Sequence, residues 1–197
     1  MKLSVLLINC YKSADDQRIE PFFNWLSPYF EVNTVLVDAL SSAVVKEDGV
    51  IISGSEHHSS QDLPQQLKAI LLETEKPLLG VCYGHQALAS AWGAKVIKKK
   101  LIEEEEVVRV VHSKGILSNL GLFFNALESH AEHVVPDKHL ARHFEIMAYS
   151  DSCKVEVIRH LERPLWGVQF HPERSGQMGL RLAANFENLV KFVKENS

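Results

Sequence analysis

Cys82 stands in a sequence context typical of a reactive thiol. It lies within Gly-Val-Cys-Tyr-Gly-His-Gln at positions 80–86, which follows an apolar run at 77–81 and precedes a helix-forming run. A small residue on each side of the cysteine permits a nucleophile elbow, the tight strand-to-helix turn that lifts the central side chain above a sheet edge. The helix N-terminus then favours thiolate, and the N–H of Tyr83 would point at a developing oxyanion. The alternative, an inert cysteine at a strand end, does not explain the two glycines.

A thiolate that attacks an amide needs a nearby imidazole to handle the proton. The chain has ten histidines, so composition alone does not choose one. A strand-like run at 165–170 ends at His171, and Pro172 stops the strand there. Glu173 is close enough to turn its carboxylate onto the imidazole, which would fix the tautomer and stabilise the imidazolium. Alone, this segment could equally be a polar strand end; together with the elbow, it predicts a triad with Cys82.

Apolar strand-like runs alternate with amphipathic helical spacing through the first half of the chain. Such alternation predicts parallel strands that are covered by helices on both faces. The second half is richer in strand-like runs, and an amphipathic helix ends the chain. We therefore predict one three-layer α/β domain over 1–197 with a mostly parallel central sheet. The predicted strands are 3–8, 32–37, 50–52, 77–81, 107–111, 144–148, 154–158 and 165–170.

Bulk properties narrow the class of protein. The chain has 197 residues and a formal charge of -4, so it carries no electrostatic footprint for nucleic acid or an anionic membrane. No apolar run approaches the roughly 18 residues of a membrane span. Three widely spaced cysteines suggest no disulfide framework and favour a reducing cytoplasm. Cys10 and Cys153 lack the setting of Cys82, and we expect both to be inert.

Together the two motifs resemble those of the class I (triad) glutamine amidotransferase family. Positions 80–86 are similar to that family's G-x-C-x-G-x-Q, and positions 167–173 to its G-x-Q-F-H-P-E. The spacing between nucleophile and base, 171 − 82 = 89 residues, also suits the family. The resemblance implies a flavodoxin-like fold and hydrolysis of L-glutamine to glutamate and ammonia through a γ-glutamyl thioester on Cys82. It also implies that Gln86 helps to hold the substrate, and no cofactor or metal is predicted.

The second oxyanion donor of this family comes from the loop after the third strand, where Gly-Gly-Pro or Gly-Pro-Gly is usual. This chain has Ser53-Gly54-Ser55-Glu56-His57-His58 in that place. A backbone N–H of Gly54 or Ser55 can still be donated, because the donor need not belong to a glycine. The histidine pair at 57–58 could suggest a metal, but we interpret it as solvated because no third ligand is in register.

Within the family, the chain most resembles the amidotransferase part of GMP synthase, which implies a role in purine biosynthesis. That subgroup carries a Met-Ser-His-Gly-Asp-x-Val segment, and positions 128–134 here read Glu-Ser-His-Ala-Glu-His-Val. The analogy places Ser129 and His130 near the α-amino and carboxylate end of the substrate, whereas the alternative is a polar surface loop.

The chain contains no Ser-Gly-Gly-x-Asp-Ser type pyrophosphate loop, so an ATP-binding half is not visible in it. The resemblance therefore implies that ammonia passes to a separate ATP pyrophosphatase chain in trans. Two other functions remain open: a stand-alone hydrolase of γ-glutamyl compounds, and a non-catalytic relative that binds a partner or metabolite. The intact Cys82, His171 and Glu173 argue against the non-catalytic relative.

Overall fold

The computed structural model describes residues 2–56 and 62–197. Eleven strands and five α-helices are found in those residues. The strands are β1 (Leu3–Asn9), β2 (Phe30–Leu36), β3 (Gly49–Ile52), β4 (Leu78–Val81), β5 (Val96–Ile102), β6 (Glu105–Val110), β7 (Phe123–Leu127), β8 (His130–Val134), β9 (Phe144–Tyr149), β10 (Val157–His160) and β11 (Leu165–Val168). The helices are α1 (Glu20–Leu26), α2 (Gln65–Glu73), α3 (Tyr83–Ala91), α4 (Lys138–Ala141) and α5 (Gly176–Glu195).

Nine strands form the central sheet, in the order β2-β1-β3-β4-β11-β10-β9-β6-β7. The first five strands in that order are parallel to their neighbours, and the remaining four continue the sheet in antiparallel pairs. The predicted α/β class with a mostly parallel central sheet is confirmed. The decisive pairing for the site joins β4 to β11, because these two strands precede the two predicted catalytic segments and run in the same direction.

Helices cover both faces of the parallel strands and divide the core into two halves. On one face, α1 and α5 bury Leu26 and Phe186 against side chains such as Val5 of β1. On the other face, α2 and α3 bury Ile70 and Leu88 against the alternate side chains of the same strands. Successive strand residues point to opposite faces, so strands covered on both faces must be apolar throughout. This explains why β3 and β4 are buried at every position.

Three strands were not predicted from the sequence: β5, β7 and β8. Strands β5 and β8 pair antiparallel as a separate two-stranded sheet whose register is irregular between Lys98 and Ile102. Strand β5 is exposed at 98–101, where three lysines interrupt the apolar residues at its two ends, so neither a continuous apolar run nor an alternation marks it as a strand. The predicted strand 154–158 is wrong at its start, since β10 begins at Val157. A turn closed by hydrogen bonds between Ser150 and Cys153 occupies the chain before it.

No α-helix in the described ranges is both long enough and apolar enough to cross a bilayer.

Candidate active site

Cys82 lies at a tight strand-to-helix turn between β4 and α3. Its φ of 52° is positive, a conformation that costs free energy for a residue with a side chain and persists only when the surroundings enforce it. The flanking glycines are sterically required. A Cβ at Gly80 would overlap the carbonyl group of Gly84 and lie 2.8 Å from the His85 nitrogen, and a Cβ at Gly84 would lie 2.6 Å from the Ile52 oxygen. The geometry is therefore that of the predicted elbow.

The Cys82 thiol is held at the carboxyl edge of the parallel strands. The Cys82 N–H donates to the carbonyl oxygen of Val168 at 2.8 Å, which ties the turn to the end of β11. The sulfur lies 3.7 Å from the carbonyl oxygen of Ser129. Cys82 is only 6% exposed, but its side chain lines two cavities, so small molecules can reach it.

His171 and Glu173 follow β11 at the same edge. The imidazole Nδ1 lies 2.6 Å from Glu173 Oε1, a short hydrogen bond that leaves Nε2 for the thiol side. Burial opposes the charged imidazolium, but Cys82 and Glu173, through charge and hydrogen bonding, outweigh it and raise the pKa of His171 well above its usual value. The segment is fixed because the His171 N–H donates to Leu127 and the Ser175 hydroxyl donates to the His171 carbonyl.

The loop after β3 brings Gly54 and Ser55 to this edge. A Cβ on Gly54 would lie 3.3 Å from the His171 ring carbon Cε1 and 2.8 Å from the Tyr11 hydroxyl. The Ser55 hydroxyl donates to the carbonyl oxygen of Cys10 at 2.7 Å, and so anchors the loop to the chain after β1. Gly54 is therefore the residue of this loop that lies next to the His171 imidazole. The pair His57 and His58 lies outside the described residues.

A small cavity of about 180 Å³ lies on one side of the sulfur, lined among others by Tyr83, Gln86, Ser129 and His130. The Gln86 side-chain amide donates to the carbonyl oxygen of Glu132 at 2.9 Å, which fixes it at the cavity wall. His130 is 4% exposed and belongs to β8, so it is not part of a polar surface loop. The four predicted residues around this cavity are thus brought together with Cys82.

A larger cavity of about 440 Å³ also borders the sulfur; besides predicted site residues, which include His171 and Glu173, it is lined by residues that were not predicted. Tyr11 reaches it directly after β1, with the Arg18 guanidinium stacked 4.5 Å from the centre of its ring. Arg18 also forms an ion pair with Glu56 at 2.8 Å, and Arg174 completes the wall. Ligands of α/β sheets bind beyond the carboxyl ends of the strands, and the position of Tyr11 two residues after β1 was the available signal.

The two other thiols differ from Cys82. Both are fully or almost fully buried and unpaired by disulfides. Burial raises the pKa of the Cys10 thiol to about 12 and the pKa of the Cys153 thiol well above its usual value. These thiols stay protonated at neutral pH, which agrees with the expectation that neither is a nucleophile.

In the described part of the chain, one group of side chains of the types that can bind metal ions lies next to the small cavity. It consists of His130, His133 and Cys153. Burial lowers the pKa of His130, and burial together with the nearby His130 lowers the pKa of His133 to about 4. Both imidazoles are therefore neutral near pH 7, the form that binds metal ions.

Comparison with known proteins agrees with this geometry. The family described as glutamine amidotransferase class-I matches residues 6–188. A curated relative from Archaeoglobus fulgidus, named as a glutamine-hydrolyzing subunit of GMP synthase, is 34% identical over 161 residues, which cover 81% of this chain and 82% of the relative. The protein of the same name from Methanocaldococcus jannaschii is 37% identical over 142 residues, 71% of each chain.

Two solved structures are similar throughout the chain. A protein from Thermoplasma acidophilum, described as a subunit of GMP synthase, has a TM-score of 0.86 at 25% identity, covering 100% of this chain and 98% of that one. A glutamine amidotransferase from Thermotoga maritima shares the fold, with a TM-score of 0.70 at 17% identity and the same two coverages. The predicted class of enzyme is confirmed, and the chain belongs to the class-I glutamine amidotransferase family.

Proposed function

We propose that Cys82, His171 and Glu173 form the catalytic triad with which this chain hydrolyses L-glutamine. The strongest support is that three groups lie at one edge of the sheet: Cys82 with its strained positive φ, the His171 imidazole and the Glu173 carboxylate. The imidazole Nδ1 lies 2.6 Å from the Glu173 carboxylate oxygen. The raised pKa of His171 favours an imidazolium beside a thiolate, the charge state needed for attack on an amide.

In the proposed reaction, the Cys82 thiolate attacks the side-chain amide carbon of glutamine. The resulting oxyanion is stabilised by the backbone N–H of Tyr83 and by a second N–H from Gly54 or Ser55. The His171 imidazolium gives its proton to the departing nitrogen, so the C–N bond breaks and ammonia departs. Cys82 then carries the γ-glutamyl group as a thioester. Neutral His171 then takes a proton from water, the hydroxide attacks the thioester, and glutamate and the thiolate form while the imidazolium is restored.

The small cavity beside the sulfur is the proposed site for the substrate. Gln86, Ser129 and His130 line it together with Tyr83. We assign Gln86 to the side-chain amide end of glutamine, because it lies in the first turn of the helix that follows the nucleophile. Ser129 and His130 are assigned to the α-amino and carboxylate end. The loop at Gly54 and Ser55 and the elbow at Cys82 would then both lie next to the reacting carbon.

The proposed acceptor of ammonia is a separate ATP-dependent synthetase chain, an ATP pyrophosphatase, in a GMP synthase. The support is the name of the relatives, each of which is a glutamine-hydrolyzing subunit of GMP synthase. We further propose that residues 1–197 fold as one domain, which the family match over residues 6–188 supports. We also propose that the chain acts in the cytoplasm, which the metabolic role of the relatives supports.

The test is ammonia release from L-glutamine by the purified chain, measured alone and with the synthetase chain of GMP synthase from the same organism. We expect the partner with ATP and the nucleotide substrate of that synthetase to raise glutamine hydrolysis at least about tenfold and to convert glutamine nitrogen into GMP. A partner without effect on either rate would contradict the proposed pairing with a synthetase. Faster hydrolysis of other γ-glutamyl compounds than of glutamine would instead support a stand-alone γ-glutamyl hydrolase.

Glu173→Gln is expected to reduce kcat by roughly 10²–10⁴-fold, less than removal of the nucleophile, because the carboxylate orients the imidazole without reacting. The change also removes a charge that raises the pKa of His171. Activity that depends on the imidazolium is lost as pH rises through this pKa, so the basic limb of the kcat profile should move to lower pH. Glu162→Ala, at an exposed carboxylate, is the control. An unchanged pH profile would contradict the proposed role of Glu173.

A further inference from the structure

Beside the small cavity lies a buried group of side chains, of which only His130 has a part in the proposed binding of glutamine. His130 and His133 come from β8, and Cys153 comes from the turn between β9 and β10. Their ligand atoms all lie within 4.8 Å of one another. The three side chains are 4%, 2% and 0% exposed, respectively. The group therefore brings β8 of the two-stranded sheet next to the turn between β9 and β10 in the protein interior.

The hydrogen-bonding capacity of this group is largely unused. Both ring nitrogens of His133 have no hydrogen-bond partner among the described residues. His130 Nδ1 donates to the carbonyl oxygen of Glu132 at 3.0 Å, which leaves its Nε2 as a lone-pair nitrogen. That Nε2 lies 3.2 Å from Glu128 Oε2 but makes no hydrogen bond with it. Buried polar atoms without partners are costly, and a ligand that accepts their lone pairs would remove the cost.

The backbone is irregular at the point that brings the two imidazoles together. Residues three apart on a regular strand point to opposite faces of the sheet. His130 and His133 are three apart, but their ring centres are only 4.6 Å from each other. The pairing of β8 with β5 shifts register between Lys98 and Ile102, opposite this stretch. The irregularity thus turns both rings toward Cys153.

We propose that His130, His133 and Cys153 bind one zinc-class divalent cation, with a water molecule as the fourth ligand. The ion would displace the Cys153 proton to solvent, and two imidazole nitrogens, a thiolate sulfur and the water oxygen form a tetrahedral set that suits Zn²⁺. In such a site neighbouring ligand atoms are about 3.3–3.8 Å apart, so a contraction of about 1 Å from the observed spacing suffices. The His130–Glu132 hydrogen bond supplies the outer contact that fixes the tautomer of a ligating histidine.

The bound ion would link β8 to the turn before β10 and so fasten the wall of the small cavity to the central sheet. A cation can reach the site through the small cavity, because His130 lines that cavity and also belongs to the proposed ligand set. The role is structural, since Cys82 lies outside the proposed ligand set. His130 is shared with the proposed glutamine site, but metal binding is measured without glutamine hydrolysis, so failure of this proposal and failure of the proposed function can be told apart.

The first test uses the double variant Cys10→Ala, Cys82→Ala. Of the three cysteines in the sequence, this variant keeps only Cys153. Removing Cys82 also excludes binding by the nucleophile and His171. Titration with Co²⁺ should give one bound ion per chain, a thiolate-to-cobalt charge-transfer band and the visible bands of a tetrahedral site. Zn²⁺ should displace the Co²⁺ and raise the Tm by roughly 5–10 °C at a hundredfold excess over Kd. Absence of binding, or a spectrum without thiolate ligation, would overturn the proposal.

The second test adds Cys153→Ala or His133→Gln to the same double variant. Either change should weaken Zn²⁺ binding at least tenfold, measured by competition with a chromophoric chelator. His139→Gln, at an exposed histidine of α4, is the matched control and should bind as the double variant does. Unchanged affinity after loss of Cys153 or His133 would refute this ligand set. Because the first test leaves the cluster intact, the proposal stays testable if a cluster variant does not fold.

Discussion

Cys82→Ala should lower the rate of ammonia release from L-glutamine by at least about 10⁴-fold. Alanine removes the atom that forms the thioester, and the remaining residues can only bind the substrate and polarise its carbonyl group. The side chain is 6% exposed and contacts the Ser129 carbonyl oxygen, so its loss should leave the fold intact. The measurement is a coupled glutamate assay with equal amounts of wild type and variant, after circular dichroism has shown equal folding.

The matched control for this prediction is Cys10→Ala. Cys10 is also a buried thiol, and its sulfur lies 3.9 Å from the carbonyl oxygen of Ile8. The control should keep its rate within about threefold of wild type. If Cys82→Ala kept more than about one hundredth of the wild-type activity, Cys82 would not be the nucleophile and the proposed triad would fail.

Gly80→Ala should both destabilise the protein and inactivate it. The added methyl group would overlap the carbonyl group of Gly84 and lie 2.8 Å from the His85 nitrogen, and backbone atoms cannot move aside as side chains do. Overpacking of this kind costs about 1–3 kcal/mol or more, and relief of the clash must open the turn that holds Cys82. We expect a lower urea midpoint and a loss of kcat of at least about 100-fold in the protein that remains folded.

Gly93→Asn provides the comparison for Gly80→Ala. Gly93 follows α3 with φ of +86°, and a Cβ there would meet no atom within 4 Å. Asparagine tolerates positive φ better than other residues with a side chain, so both stability and activity should stay near the wild-type values. A Gly80→Ala enzyme with normal kcat would show that the elbow does not depend on its close glycine contact.

The sequence was sufficient to predict the parallel half of the fold, and the reason is local. Strands β1, β3 and β4 are buried on both faces, so they appear as short continuous apolar runs. The two catalytic segments could be predicted because each requires special backbone residues, the glycines at 80 and 84 and the proline at 172. Adjacent parallel strands then end at the same edge, which brings Cys82 and His171 together.

Other features depend on tertiary contacts that the sequence pattern does not record. Strand β5 is exposed at 98–101, and the three lysines there break the apolar pattern that its end residues would otherwise give. His130 and Glu128 are almost fully buried, although such residue types usually lie at the surface. Tyr11 belongs to the site because its side chain lies next to Gly54. This contact joins two segments that are distant in the sequence.

The pairing of β4 with β11 has a consequence for how the enzyme is made. The turn at Cys82 is held by a hydrogen bond to Val168, 86 residues later in the chain (168 − 82 = 86). A strained conformation persists only where surrounding contacts enforce it, and a growing chain emerges from the ribosome N-terminal end first. The nucleophile is therefore synthesised long before the strand that fixes its turn. The thiol acquires its proposed catalytic geometry only when translation has passed β11, so the partly synthesised chain carries an ordinary cysteine thiol at this position.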